Sequence, residues 1–265
     1  MSRYRVGCVP YVNAAPLIHR FVSDPGSPVK VVFDVPSRLP AQHAAGETDA
    51  MLVSSIDALS NPGAEVVGGL CIGSDGPVAS VRLFSRVPFG EIKSLALDES
   101  SMTSNALAKI ILLEKYNCEP KNLKLEPDLN TMLGLCDAAV VIGDKGMVAD
   151  YPGSRVMDLG EAWTDTFGVP FVWAMWTSHR PIEPELAQLL RTAMDPKAEI
   201  GQGVIDYAAK ESGWPTDLVR QYLSTCVRFE FGKRQAAGLR LFGEKLVENG
   251  FLVKSHFPSI LSPAL

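Results

Sequence analysis

Four short segments of this 265-residue chain carry side chains able to hold a small anion. They are Pro10-Tyr11-Val12-Asn13, Ser54-Ser55, Ser101 to Ser104, and Gly143-Asp144. Each follows an apolar run that reads as a strand, and three of them open a segment of helical pattern. Hydroxyls and amides donate hydrogen bonds without carrying charge. A helix N-terminus adds unpaired N–H groups and a partial positive charge, so a carboxylate can be held there without Arg or Lys. The same residues also serve as ordinary helix caps, each stabilising by about 1 kcal/mol. Tyr11 reads either as a cleft wall or as a core ring, and Asp144 either as a cap or as an acid/base group. Trp163, Trp173 and Trp176 read as core packing rather than as a stacking platform.

The composition narrows the chemistry. Lys and Arg number 25 against 30 Asp and Glu, a net charge of −5, which argues against a nucleic-acid partner. No apolar run approaches the ~20 residues that span a bilayer. The N-terminal Met-Ser-Arg-Tyr-Arg leads directly into Val6 with no export signal, so a cytoplasmic protein is expected. Five cysteines without a C-x-x-C pair, and four scattered histidines, speak against a structural zinc or a metal catalyst. Neither G-x-G-x-x-G nor G-x-x-x-x-G-K-[ST] follows a strand, and no G-x-S-x-G occurs, which lowers the standing of nucleotide binding and serine hydrolysis.

The elements that must position these residues follow from periodicity. Arg5 to Val9, Val29 to Phe33 and Ala50 to Val53 read as strands. Helices between them open at Asn13 and at Pro36, the second closed by Gly46. This β-α-β-α-β order predicts a mostly parallel sheet with helices on both faces. Val78 to Ser85 reads as one long strand. A second alternating unit follows, with strands at Ser94 to Leu97, Leu123 to Leu125 and Ala138 to Ile142, and helices after Ser104 and at Leu129 to Leu135. The last third is helical over Pro184 to Ser212, Thr216 to Leu223 and Lys233 to Val247, interrupted by a strand at Cys226 to Phe231. With no sheet of its own, this tail must pack back on the first unit. The expected fold class is therefore α/β, with two Rossmann-like lobes. Lobe 1 is residues 1–84 plus 178–265, and lobe 2 is 85–177. Two crossovers, near Ser85 and near Trp173 to Thr177, leave a ligand cleft between the lobes.

Longer segments carry a resemblance. They are Pro10-Tyr-Val-Asn-Ala-Ala-Pro-Leu17, Asp34-Val-Pro-Ser-Arg-Leu39 with Gly46-Glu-Thr-Asp49, Ser74-Asp-Gly-Pro-Val-Ala-Ser-Val81 with Leu83-Phe-Ser85, Thr103-Ser104, Ile142-Gly-Asp144, Asp158-Leu-Gly-Glu-Ala-Trp163, and Gly168-Val-Pro-Phe-Val-Trp-Ala-Met-Trp176. Together they resemble the chorismate dehydratases of the futalosine route to menaquinone. The resemblance implies a periplasmic-binding-protein-like type II fold in a cytoplasmic enzyme. It implies chorismate, a small dicarboxylate, as substrate, 3-[(1-carboxyvinyl)oxy]benzoate and water as products, and no cofactor. It also implies that Asn13 and Ser80 are catalytic and that Ser55, Thr103 and Ser104 hold the carboxylates, while Tyr11, Gly143 and Asp144 of the strand-end loops join them as candidate substrate-binding residues. Met102 stands where the family often has Arg, so charge recognition falls to N–H groups or to Arg38 or Arg82.

Dehydration needs a base within about 3 Å of the proton to be removed. Amides and hydroxyls are poor bases at pH 7. The expectation is that the substrate's own enolpyruvyl carboxylate takes the proton, with Asp144 as the competing base. Two other functions remain open at this point. One is the sister lyase of the route, which acts on a dehypoxanthine futalosine-type nucleoside. The other is a non-catalytic small-anion binding protein.

Overall fold

The computed structural model describes residues 2–99 and 101–262; the expected lobe limits at 1 and 265 fall outside them. The first lobe begins with β1 (Tyr4–Cys8), in which only Arg5 is exposed. A 3₁₀ turn over Val12–Ala14 leads into α1 (Ala15–Val22), with Pro16 in the first turn, where a missing N–H costs nothing. Then come β2 (Val29–Phe33), α2 (Leu39–Ala44), β3 (Ala50–Ser54) and α3 (Ser55–Ser60). β1 lies between β2 and β3, parallel to both, with Val6 opposite Val31 and Ala50. Gly46 follows α2 at φ +77°, the left-handed turn that the helix end requires. The short β4 (Glu65–Val67) and β5 (Gly69–Ser74) complete this stretch and have no counterpart in the sequence reading.

The chain then crosses to a second sheet. Its elements are β6 (Arg82–Ser85), β7 (Ser94–Asp98), α4 (Met102–Tyr116), β8 (Lys121–Leu125), α5 (Leu129–Leu135), β9 (Ala138–Val141), α6 (Gly143–Val148), β10 (Arg155–Asp158) and α7 (Leu159–Phe167). The strand order is β10-β6-β9-β7-β8, with β7 parallel to both neighbours and β6 antiparallel to both of its own.

The return brings β11 (Phe171–Ser178) into the first sheet, antiparallel between β3 and β5. After it come α8 (Pro184–Arg191), α9 (Gln202–Ser212), α10 (Thr216–Gln221), a π-helical turn at Tyr222–Cys226, β12 (Arg228–Phe231), α11 (Lys233–Glu248) and β13 (Ser259–Leu261). The first sheet runs β12-β5-β11-β3-β1-β2, with β4 bridging β11 and β13. The tail does return to the first lobe: α9 packs on α1, α11 on β11, and β12 joins the sheet.

The crossings lie elsewhere than expected. Trp173 to Thr177 is the middle of the longest strand, not a linker, and the return is the short 168–170 segment. The outward crossing is 75–81 rather than Ser85. The run from Val78 to Ser85 has strand composition, but Ala79 sits at φ +63° and only Arg82 to Ser85 pair as a strand. Asp158 accounts for this. Its carboxylate accepts the N–H groups of Val78 at 3.0 Å and Ala79 at 2.6 Å, and pulls them out of any sheet.

At the return, Trp163 of α7 meets Phe171 and Phe242 edge-on, with centroids 5.1 and 5.9 Å apart. This aromatic contact joins the last helix of the second lobe to the first sheet and to α11. Beside it, Gly238 of α11 lies against the Pro170 carbonyl, so close that a Cβ would overlap it. Gly238→Ala is expected to cost about 1–3 kcal/mol through overpacking, read as a lower urea midpoint with unchanged helix content.

Candidate functional site

A cavity of about 280 Å³ opens between the lobes at the carboxyl ends of β1, β3, β7, β8 and β9. Six of the residues singled out from sequence line it: Tyr11, Asn13, Ser80, Thr103, Ser104 and Gly143. They come from both lobes and from the outward crossing, so the fold brings distant segments to one hollow. Tyr11 is a cleft wall rather than a core ring. Its Cε1 lies 3.4 Å from where a Cβ on Gly143 would be, and Gly143 has φ +61°, so only glycine fits under the ring without strain.

Two residues fall outside that lining. Ser55 is wholly buried as the first residue of α3, and its neighbour Ser54 stands on the wall instead. Asp144 lies in the first turn of α6, where its Oδ1 accepts the Val12 N–H at 3.3 Å. Burial lifts its carboxyl from 3.8 to about 6, although that hydrogen bond opposes the shift. It ties the 3₁₀ turn of the first lobe to the second lobe. A second tie is made by Thr103 Oγ1, which accepts the Ile56 N–H of α3 at 3.3 Å. Ser101 caps α4 by accepting the Ser104 N–H at 3.3 Å.

Asn13 and Ser80 share a partner that sequence reasoning missed. Asn13 Nδ2 donates to Tyr222 Oη at 3.3 Å, and Ser80 Oγ lies 2.8 Å from the same oxygen. Tyr222 is 1% exposed, and burial pushes its phenol far above its ordinary range, so it stays neutral. The amide oxygen of Asn13 is buried without a protein partner. Nothing in a helical tail pattern marks Tyr222, because its π-turn breaks the 3.6 period.

The charges on the wall are also new. Lys124 of β8 is the one Lys or Arg among the described lining residues, and it forms no ion pair there. Arg82 is spent on the carbonyls of Gly146, Met147 and Ala149 at the end of α6. Arg38 is three-quarters exposed beside Asp34, so neither expected arginine lines the cavity. Asp57 of α3 does line it, with its carboxylate 2.7 Å from His179 Nε2. Burial raises Asp57 above the usual carboxylate range, against the pull of His179. Trp173 also reaches the wall, donating its Nε1–H to Ser74 Oγ at 3.1 Å, whereas Trp163 and Trp176 are wholly buried core. Burial keeps the Cys8 and Cys71 thiols protonated, so neither offers a nucleophile. Among the described residues no three His, Cys, Asp or Glu side chains are grouped as metal ligands would be.

The model of the menaquinone biosynthesis family matches residues 4–248. The chain belongs to the menaquinone biosynthesis family. A chorismate dehydratase of Thermus thermophilus is 29% identical over 93% of this chain and 96% of its own length. One from Campylobacter jejuni is 25% identical over 89% and 94%. The periplasmic aliphatic sulphonate binding protein SsuA of Escherichia coli superposes with a TM-score of 0.62 at 16% identity, covering 99% of this chain and 94% of that one. The fold of this family member is thus the α/β periplasmic-binding-protein fold, as the sequence resemblance implied. No helix among its described residues is long and apolar enough to cross a membrane.

In this family member Asp144 holds its proton more tightly folded than unfolded. The associated stability is complete below about pH 3.8 and lost as pH rises through about 6. Asp144→Asn keeps the acceptor for Val12 and removes the buried charge. It should raise stability at pH 8 by on the order of 1–3 kcal/mol and change it little near pH 4, measured as thermal midpoints across that range.

Proposed function

We propose that this protein is a carbon–oxygen lyase that dehydrates chorismate to 3-[(1-carboxyvinyl)oxy]benzoate. The observation that carries the reading is the convergence of Asn13 and Ser80 on one inter-lobe cavity. The chain around them aligns over nearly its full length with two chorismate dehydratases. All five cysteines are free thiols, which fits work in a reducing cytoplasm.

The chemistry follows from the substrate. A hydrogen sits on the ring carbon that bears the enolpyruvyl ether, and a hydroxyl sits on the next carbon. Their loss as one water completes an aromatic ring, with the C–H electron pair becoming part of the π system as the C–O bond breaks. The enolpyruvyl carboxylate of the substrate itself takes the proton and passes it to the departing hydroxide, which leaves as water. Ser80 hydrogen-bonds the departing hydroxyl oxygen, and Asn13 orients the ring against it. Thr103, Ser104 and the first turn of α4 hold a carboxylate by neutral donors, while Tyr11 covers the ring. Lys124 pairs with a carboxylate at the rim. Asp57, kept close to His179, presents less negative charge to a dianion than a free carboxylate would.

Purified protein incubated with chorismate, without added metal or nucleotide, should yield the aromatic enol ether, followed by its ultraviolet absorbance and by mass. No product under those conditions would sink the reading. Asn13→Ala and Ser80→Ala should each lower kcat by about a hundredfold with the fold intact. Asp144→Asn should leave turnover near normal; a collapse with substrate still bound would make Asp144 the base. Lys124→Gln should raise KM several-fold with kcat nearly unchanged, and added salt should shrink that difference.

A further inference from the structure

We infer that Tyr222 is a positioning residue that sets the direction of the Ser80 hydroxyl proton. This inference rests on the proposed catalytic use of Ser80 and Asn13. The Tyr222 oxygen carries one hydrogen and two lone pairs. One lone pair takes the Asn13 amide N–H, at 3.3 Å. The remaining neighbour is Ser80 Oγ, at 2.8 Å. A buried phenol must place its proton, and among its described neighbours Ser80 Oγ is the acceptor left for it. Tyr222 therefore donates to Ser80. Ser80 has no use for its own hydrogen on Tyr222, and Ser80 is among the residues that line the cavity, so that hydrogen is left for an oxygen that occupies the cavity.

The reverse direction, Ser80 donating to Tyr222, leaves the phenol proton without an acceptor in a site 1% exposed. A buried donor left unsatisfied is costly enough to set the direction. The phenol's strongly raised titration keeps the proton in place through the physiological range. Tyr222 does not line the cavity, so it acts through Ser80 and Asn13 rather than on the substrate. One donor–acceptor chain thereby serves both proposed groups: Asn13 is held by its NH₂, with its buried amide oxygen left over, and Ser80 is held by its lone pair, with its proton left over.

The test is a double-mutant cycle on the full chain. Wild type, Y222F, S80A, N13A and Y222F/S80A are compared for kcat, KM and thermal midpoint with chorismate. Y222F should lower kcat about ten- to hundredfold with KM little changed. Y222F should slow S80A by far less than it slows the wild type, because once Ser80 is gone only the hold on Asn13 is left to lose. Tyr222→Met, which fills the space without a hydroxyl, should behave as Y222F does and guards against a folding artefact. Losses that multiply in the double variant would overturn the inference, as would a normal kcat in Y222F beside a slow S80A. Normal rates in both S80A and N13A would instead remove the proposed catalytic use on which it stands.

Discussion

The Asp158 carboxylate accepts four backbone N–H groups from two directions. Val78 and Ala79 of the outward crossing reach one side, and Gly160 and Glu161 in the first turn of α7 reach the other. A carboxylate at a helix N-terminus is favourable on its own account, because it meets the helix dipole and the unpaired donors together. Here it also holds Ala79 at a positive φ that a non-glycine residue adopts only under constraint. Ser80 is the next residue, so the direction of its side chain is inherited from that clamp. Gly160 lets the two segments meet: a Cβ there would sit 2.8 Å from both the Gly76 carbonyl and Ser74 Oγ.

The same economy of charge governs the cavity. To the proposed dianionic substrate a net-acidic protein offers hydroxyls, amides and helix ends, with one lysine among the described lining residues. Neutral donors fixed by the backbone need no counter-ion when the site is empty and no reorganisation when it fills. Of the two arginines that the sequence offered, Arg82 does a different job: it gathers three carbonyls at the end of α6 and so steadies the helix that Gly143 opens. The buried carboxylate on the wall, Asp57, is joined to His179, whose backbone N–H is held in turn by His43 Nε2 at 3.1 Å. A neutral His43, with burial holding its titration down, completes that row.

Periodicity and turn residues were enough to read β1 to β3 with the helices between them, and the alternation from Ser94 to Ile142. They were enough too for the strand ends that carry Tyr11, Thr103 and Gly143. The failures have physical causes. Val78 to Ser85 looks like one strand because composition does not record a carboxylate 80 residues away taking its first two amides. Trp173 to Thr177 looks like a linker between lobes only if the sheet it completes is unseen; its partners β3 and β5 come from 51–54 and 72–74. Asp57 and Lys124 reach the wall through tertiary packing, Tyr222 reaches Asn13 and Ser80 from a π-turn, and none of these leaves a periodic trace. Ser55 against Ser54 is a one-residue error of the kind that alternating side-chain direction produces at a strand end.

The phenol shared by Asn13 and Ser80 is residue 222 of 265, whereas the described residues of the cavity wall end at Ala174. During synthesis on the ribosome every described cavity-lining residue is therefore made before the shared oxygen. The nascent protein is then a hollow without its clasp. Asn13 and Ser80 gain their shared partner only when the tail that carries it has packed back on the first lobe.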